Sequence, residues 1–156
     1  MKETRFHRAL RFQIPGSWTE ESDAAGDRVC YSPAPDSGTL HIHLATFRKL
    51  GGKLPEEYTF ALGESSAPVE TLANGQLLRH ETVSDEKDGT TVRRHRWQLA
   101  RVCSPDCVRA ATFTYTLQAA AESGLIAQQE LRLIDAEIRN AVLAEPAPDD
   151  LARELD

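Results

Sequence analysis

The chain has no hydrophobic run long enough to cross a membrane and no recognisable export segment. None of its apolar stretches approaches the roughly 18 residues that a membrane-spanning helix needs. The N-terminal segment MKETRFHRALRF lacks the apolar core of about 7–15 residues that marks a secretory signal. We therefore expect a cytoplasmic protein without a membrane span.

Cysteine is scarce, and its odd number argues against a disulfide framework. The three cysteines are Cys30, Cys103 and Cys107, and an odd count cannot pair completely within one chain. Cys103 and Cys107 flank the turn-like sequence SPD, so whether these two thiols can bridge stays open. A structural zinc site needs a second cysteine pair or two histidines at a defined spacing, and neither is present. The pattern favours inert, reduced thiols.

The common catalytic motifs are also missing. The sequence contains no G-x-S-x-G nucleophile elbow and no glycine-rich phosphate loop before a helix. Its paired carboxylates, such as Glu20-Glu21, are adjacent in sequence, which suits helix first turns or solvent better than acid–base chemistry. We expect no enzyme, no catalytic residue and no cofactor, although an enzyme of an unfamiliar kind stays open as an alternative.

The net charge is −6 and is unevenly distributed. Residues 119–156 carry nine acidic side chains against three arginines, so the rest of the chain is neutral. Within that neutral part, residues 93–109 carry five arginines against one aspartate. Nucleic-acid binding needs a net basic footprint, so the overall charge argues against it. The arginine-rich segment is the one local exception.

The first half of the chain predicts three short strands followed by a helix. FHRALRFQI alternates like a strand that Pro15-Gly16 ends, and GSWTEESDAAGD reads as a polar connection. RVCYS and TLHIHLATF flank the turn-rich PAPDSG and predict an antiparallel hairpin. KLPEEYTFALGE, residues 53–64, has a proline near its start, acids in its first turn and a glycine near its end, as helices do.

The second half predicts three more strands and a long helix. NGQLLRHETV reads as a strand and SDEKDG as a loop, after which TTVRRHRWQLARVC and CVRAATFTYTLQ form a longer hairpin. SGLIAQQELRLIDAEIRNAVLA is the strongest amphipathic helix, with Ser123 as its expected N-cap. Its apolar stripe consists of Ala127, Leu131, Ile134, Ile138, Ala141 and Val142. The strand residues that we expect this stripe to cover are Trp97, Phe113 and Tyr115.

These elements predict an α+β fold with a mostly antiparallel sheet of about six strands and two main helices, in the order βββ-α-βββ-α. A length of 156 residues and a hydrophobic fraction of 40% fit one globular domain. We expect a single α+β domain over residues 1–143 and an acidic, flexible tail over residues 144–156.

Four segments together resemble the PsbP/MOG/DcrB superfamily of small α/β/α sandwiches. They are FQIPGSW, YSP…GTLHIHLATF, RHRWQLA…ATFTYTL and LRLIDAEIRNAVL, and the resemblance spans about residues 6–143. It implies a PsbP/MOG-like sandwich and a non-enzymatic role. Members include photosystem accessory proteins, Ran-binding proteins, bacterial envelope lipoproteins and type VI secretion effector chaperones. The lack of an export signal leaves the chaperones as the relevant comparison.

One sheet surface is predicted to be polar. In TLHIHLATF, His41 and His43 project to the same side, opposite Ile42 and Leu44. On the later hairpin the same alternation sends Arg94 and Arg96 outward, together with Gln98, Thr112, Thr114 and Thr116. If the strands share a sheet, His41, His43, Arg94, Arg96 and Thr114 form a candidate binding surface. A merely solvated sheet surface is the plain alternative and stays open.

We predict no metal at the two histidines. A third ligand would have to come from His80 or His95, and His95 has the parity of Trp97, which points it to the opposite side. The neighbouring arginines would also repel a cation.

We therefore expect a protein-interaction or chaperone-like accessory module, with a secretion-effector chaperone as one form of it. The expected partner is a polar or acidic protein surface, and a homodimer is one form that such a contact can take. The alternative is a binder of a small polar or anionic ligand, or an uncharacterised enzyme, that uses the same polar surface. A deep pocket with converging polar groups would favour that alternative.

Overall fold

The computed structural model describes residues 1–6, 9–48, 67–104 and 107–145. The helix predicted over 53–64 and most of the predicted acidic tail lie outside the described residues. Within them the chain forms ten strands and two helices, which makes the protein an α+β protein. Every strand pairing among these elements is antiparallel.

The strands fall into two sheets. The strands before residue 49 are β1 (Lys2–Phe6), β2 (Leu10–Ile14), β3 (Thr19–Ser22), β4 (Arg28–Tyr31) and β5 (Thr39–Arg48). The later strands are β6 (Glu70–Thr71), β7 (Leu77–Lys87), β8 (Thr90–Ser104), β9 (Cys107–Gln118) and β10 (Val142–Leu143). A three-stranded sheet has the order β1-β2-β10, and a seven-stranded sheet has the order β3-β4-β5-β9-β8-β7-β6. The predicted antiparallel hairpins β4–β5 and β8–β9 are both confirmed.

Two helices follow β9, namely α1 (Ala119–Glu122) and α2 (Leu125–Asn140). The main core lies between the seven-stranded sheet, α2 and the three-stranded sheet. It contains the predicted group of Trp97, Phe113 and Tyr115, together with Ile134 and Ile138 of α2, and each of these five residues is at most 1% exposed. The predicted packing of this helix on the sheet is confirmed.

Hydrogen bonds at the edges of this core hold α2 and β10 against the sheet. The indole of Trp97 donates to Asp135 Oδ1 at 3.0 Å, and the hydroxyl of Tyr115 donates to Glu130 Oε2 at 3.0 Å. Gln76 donates to the carbonyl of Ala141 and accepts from the backbone N–H of Leu143, each at 2.8 Å. Since buried amides need partners, these bonds fix where the helix stops and β10 begins.

Several sequence-based boundaries were wrong. The segment expected to be one strand up to Ile14 is a hairpin of β1 and β2, and the expected polar connection after it contains β3. SDEK belongs to β7, so only Asp88 and Gly89 form the turn, both with positive φ (54° and 78°). Those dihedrals suit a two-residue hairpin turn of a kind that favours Asp-Gly.

The ends of the long helix also differ from the prediction. Its N-cap is Gly124 rather than Ser123, and no side chain caps it. Val142, expected on the buried stripe, is 54% exposed because the chain has already left the helix and pairs with β2. Ala141 is extended (φ −68°, ψ 145°), which marks that change.

None of the helices over the described ranges is both long and apolar enough to span a membrane.

Candidate functional site: the outer face of the seven-stranded sheet

The outer face is the side of the seven-stranded sheet that points away from the main core. Across it, His41 of β5 lies opposite Thr114 of β9, which lies opposite Arg96 of β8. The next row along contains His43, Thr112 and Gln98 in the same order. Directly opposed residues in antiparallel strands share a face. The predicted grouping of the histidines, threonines and arginines on one surface is therefore confirmed.

Strand β7 adds carboxylates to the outer face that the sequence interpretation had assigned to a loop or left out. Glu81 lies opposite Arg96 and pairs with it, with Glu81 Oε1 3.5 Å from the arginine Nε. Arg94 forms an ion pair with Asp85, which lies diagonally across from it on β7. The arginine side chains are still 45% (Arg94) and 38% (Arg96) exposed. Both exposed arginines of the outer face thus have carboxylate partners that the sequence interpretation did not anticipate.

The other three arginines of the 93–109 segment face the core side and hold other elements. Arg93 pairs with Glu122 of α1, with Nε 2.7 Å from Oε2. Arg101 and Arg109 donate to the carbonyls of Leu143 and Ala144, at 2.6 and 2.9 Å. The arginines of this hairpin therefore form hydrogen bonds to other elements and ion pairs with carboxylates, and they do not form a basic patch.

The two histidines meet a loop that the sequence interpretation did not connect with them. His41 Nε2 lies 3.2 Å from Asp23 Oδ2 and 3.1 Å from Asp27 Oδ2. His43 Nδ1 lies 2.7 Å from Asp27 Oδ1. Both aspartates belong to the tight connection between β3 and β4, where Gly26 has a φ of 87°.

That connection holds Asp23 in a defined orientation. Asp23 Oδ1 accepts the backbone N–H groups of Ala25 and Asp27, each at 2.9 Å. These bonds, led by the one from Asp27, lower the pKa of Asp23 below its ordinary value. The sequence signal for this feature was the Asp-x-x-Gly-Asp spacing in a short hairpin beside the histidine strand, which had been read only as a polar connection.

At the end of the strands that contains Ala100 and Val108, the outer face is buried. Ala100, Val108 and Ala110 are at most 2% exposed, and Phe47 and Leu77 pack against them. The buried guanidinium of Arg79 donates from Nε and Nη2 to Gln98 Oε1 at 2.9 and 2.7 Å. Gln98, predicted to be on the polar surface, is on that side but only 7% exposed. Among the described residues little apolar surface is open at this end, and Val102, at 46%, is the main exposed one.

The remaining two described histidines lie on the opposite side of the sheet. The ring of His80 stacks on Trp97, with centroids 4.5 Å apart and an interplanar angle of 1°. His95 Nε2 lies 3.2 Å from Glu122 Oε1, and its Nδ1 lies 3.3 Å from Thr82 Oγ1. Desolvation lowers the pKa of both rings. Neither ring can reach His41, as the parity of His95 predicted.

The cysteines were predicted to be inert, and burial supports this prediction for Cys30. No disulfide bridges Cys103 and Cys107 in this structure. Cys30 is fully buried, and burial raises its pKa to about 12. Because the thiolate is the reactive form, a thiol with this pKa is a poor nucleophile.

Comparisons with known proteins yield fold similarity only. No protein-family model matches the chain, and no curated protein matches it. Among solved structures, LpqN, involved in cell envelope biogenesis of Mycobacterium tuberculosis, has a TM-score of 0.61 at 15% identity, over 86% of this chain and 83% of LpqN. A protein from Bacteroides thetaiotaomicron VPI-5482 has a TM-score of 0.55 at 15% identity, over 90% of this chain. The chain spans only 46% of the length of that Bacteroides protein.

Proposed function

We propose that this protein is a non-enzymatic protein-interaction or chaperone-like module that binds its partner with the outer face. The observation that carries the proposal is a row of open polar side chains across three neighbouring strands in the seven-stranded sheet. Along it, His41 and Arg96 are 39% and 38% exposed, with the half-buried Thr114 between them. Short threonines between longer side chains make a shallow surface, which suits another protein surface.

The ion pairs of the outer face suit a partner that carries carboxylates. Exposed salt bridges contribute only about 0–1 kcal/mol each. A partner's acidic groups can therefore replace Asp85 at Arg94 and Glu81 at Arg96 at little cost. Contacts of this kind weaken as salt concentration rises.

The apolar part of the outer face argues against a chaperone that shields a bare hydrophobic helix. Such a role needs a broad exposed apolar groove. Of the apolar minority predicted on this face, Ala100 is 2% exposed, and Phe47 packs against the buried cluster. Apart from Val83 and Val102, which are 37% and 46% exposed, the open part of the described surface is the polar row.

The resemblance to the PsbP/MOG/DcrB superfamily supports this class of function, with a secretion-effector chaperone as one form. The fold likeness to LpqN offers an envelope-associated role as the competing form. We propose a cytoplasmic location, because no disulfide joins the described cysteines, as expected in a reducing compartment. Cell fractionation distinguishes a cytoplasmic chaperone from an envelope-associated protein.

A photo-cross-linking amino acid at position 114 tests the surface directly. Placed in the source cells, it should capture a defined protein, whereas the same group at the exposed Gln129 of α2 should not. Equal capture at both positions, or none at position 114, would contradict the proposal.

The captured partner then allows the electrostatic share to be measured. An Arg94→Ala, Arg96→Ala double variant should bind roughly 2- to 30-fold more weakly, since each exposed pair contributes about 0.2–1 kcal/mol. Arg11→Ala on the three-stranded sheet, where Arg11 is 75% exposed, is the matched control and should bind normally. Affinity that is equal at about 50 and 500 mM salt and survives the double substitution would restore a hydrophobic-groove mode.

A further inference from the structure

Metal-ligating atoms converge at one edge of the outer face, where the β3–β4 loop reaches β5. One nitrogen of His41 and one oxygen each of Asp23 and Asp27 all lie within 4.8 Å of one another. The sequence-based argument against a metal assumed that a third ligand would have to come from another histidine. The structure supplies two carboxylates instead, from a loop 14 to 18 residues earlier in the chain.

The spacing of these atoms is close to that of ligands around one ion. Zinc bonds of about 2.0–2.2 Å in a tetrahedron place neighbouring ligand atoms roughly 3.3–3.5 Å apart. His41 Nε2 is 3.2 Å from Asp23 Oδ2 and 3.1 Å from Asp27 Oδ2. Both distances are a few tenths of an ångström short of the tetrahedral spacing, and the aspartate oxygens lie within 4.8 Å of each other.

Both carboxylates are oriented by their other oxygen. Asp23 Oδ1 is held by the backbone N–H groups of Ala25 and Asp27, which leaves Oδ2 directed at His41. Asp27 Oδ1 is held by His43 Nδ1 at 2.7 Å, which again leaves Oδ2 directed at His41. Outer partners of this kind fix metal ligands in place and raise metal affinity. His43 is thus a positioning residue for Asp27.

The electrostatic objection from the sequence does not hold for this arrangement. The arginines expected to repel a cation each have a carboxylate partner on β7, Asp85 for Arg94 and Glu81 for Arg96. The loop brings two further negative charges to the histidines. The site is also reachable, because the side chains of His41 and Asp23 are 39% and 36% exposed.

We propose that His41, Asp23 and Asp27 bind one divalent transition-metal ion of the zinc class, with the remaining coordination position open to solvent. Mixed imidazole and carboxylate ligands suit zinc and its neighbours, whereas calcium requires six to eight oxygen ligands. This proposal does not rest on the proposed interaction function, and its test needs no partner.

Isothermal titration of untagged, chelator-treated protein with zinc chloride tests the site. We expect one ion per chain, loss of that binding in His41→Ala and in Asp27→Asn, and binding about 10- to 100-fold weaker in His43→Ala. His80→Ala, on the opposite side of the sheet, is the histidine control and should bind as the natural protein does. Circular dichroism checks that each variant is folded.

Cobalt(II) provides a readout that is specific for coordination. Tetrahedral coordination gives intense visible absorption, which should appear in the natural protein and be absent from His41→Ala. Two results would overturn the proposal. One is an absence of zinc binding at about 100 µM, a concentration far above the dissociation constants of structural zinc sites. The other is zinc binding that persists in both His41→Ala and Asp27→Asn.

Discussion

Truncation of Ile134 to alanine should strongly destabilise the protein. Ile134 lies in the middle of α2 and is 0% exposed within the main core. The substitution removes three carbon atoms from the side chain without touching a polar group. Bonds from α2 to the sheet, such as Glu130 with Tyr115, limit how far the helix can move to fill the space.

The expected loss follows from transfer and cavity contributions. Three buried carbon groups at about 0.8 kcal/mol each give roughly 2.4 kcal/mol. The unfilled space adds to this, and core truncations of this size cost about 2–5 kcal/mol in total. The hydrogen bonds around the helix limit how far the neighbouring residues can move into the cavity. We therefore expect a loss of about 3–4 kcal/mol in the free energy of unfolding. Ile134→Val should cost only about 0.5–1.5 kcal/mol.

Urea unfolding followed by tryptophan fluorescence measures this loss. The two tryptophans, Trp18 and Trp97, are 4% and 1% exposed, so their emission reports on the core. Leu125→Ala on the same helix is the control, since Leu125 is 73% exposed and should change stability by less than about 0.5 kcal/mol. A loss below about 0.5 kcal/mol for Ile134→Ala would refute the packing of α2 described above.

Two further predictions concern a buried histidine and a tight glycine. Desolvation lowers the pKa of His95 below 6.5, so the unfolded chain binds a proton that the folded chain resists; stability should fall as pH drops below about 6.5. His95→Gln should flatten this fall in urea titrations between about pH 6.5 and 5, and an unchanged slope would contradict the assignment. Gly38→Ala should cost about 1–3 kcal/mol, because a Cβ there would lie 2.5 Å from the Tyr115 ring. Gly16→Ala, where a Cβ meets nothing within 4 Å, should change thermal stability little, and equal effects of the two glycine variants would disprove the clash.

The sequence was informative wherever strand alternation alone decides orientation. Successive side chains of a strand point to opposite faces, so the alternation in TLHIHLATF was enough to place Ile42 inside and His41 and His43 outside. The same period placed Trp97 and Phe113 in the core, and the helical period selected Ile134 and Ile138.

The sequence was less informative at the ends of elements. SDEK was assigned to a loop because its residues are polar, yet it extends β7 beside β8. Had the Asp88-Gly89 turn been taken as a two-residue hairpin, the register would have placed Glu81 opposite Arg96. The helix end was missed for a different reason, since pairing of Val142 with β2 overrides the apolar stripe.

What the sequence determined by itself was therefore the α+β class, the core stripe and the set of side chains that share the outer face, because each depends on a period of 2 or 3.6 residues within one element. The tertiary structure alone decided which elements lie beside one another. It brought Asp23 and Asp27 to His41, and it buried Gln98 with Arg79. Such contacts depend on loop closure and strand register between distant segments, and no local periodicity encodes them.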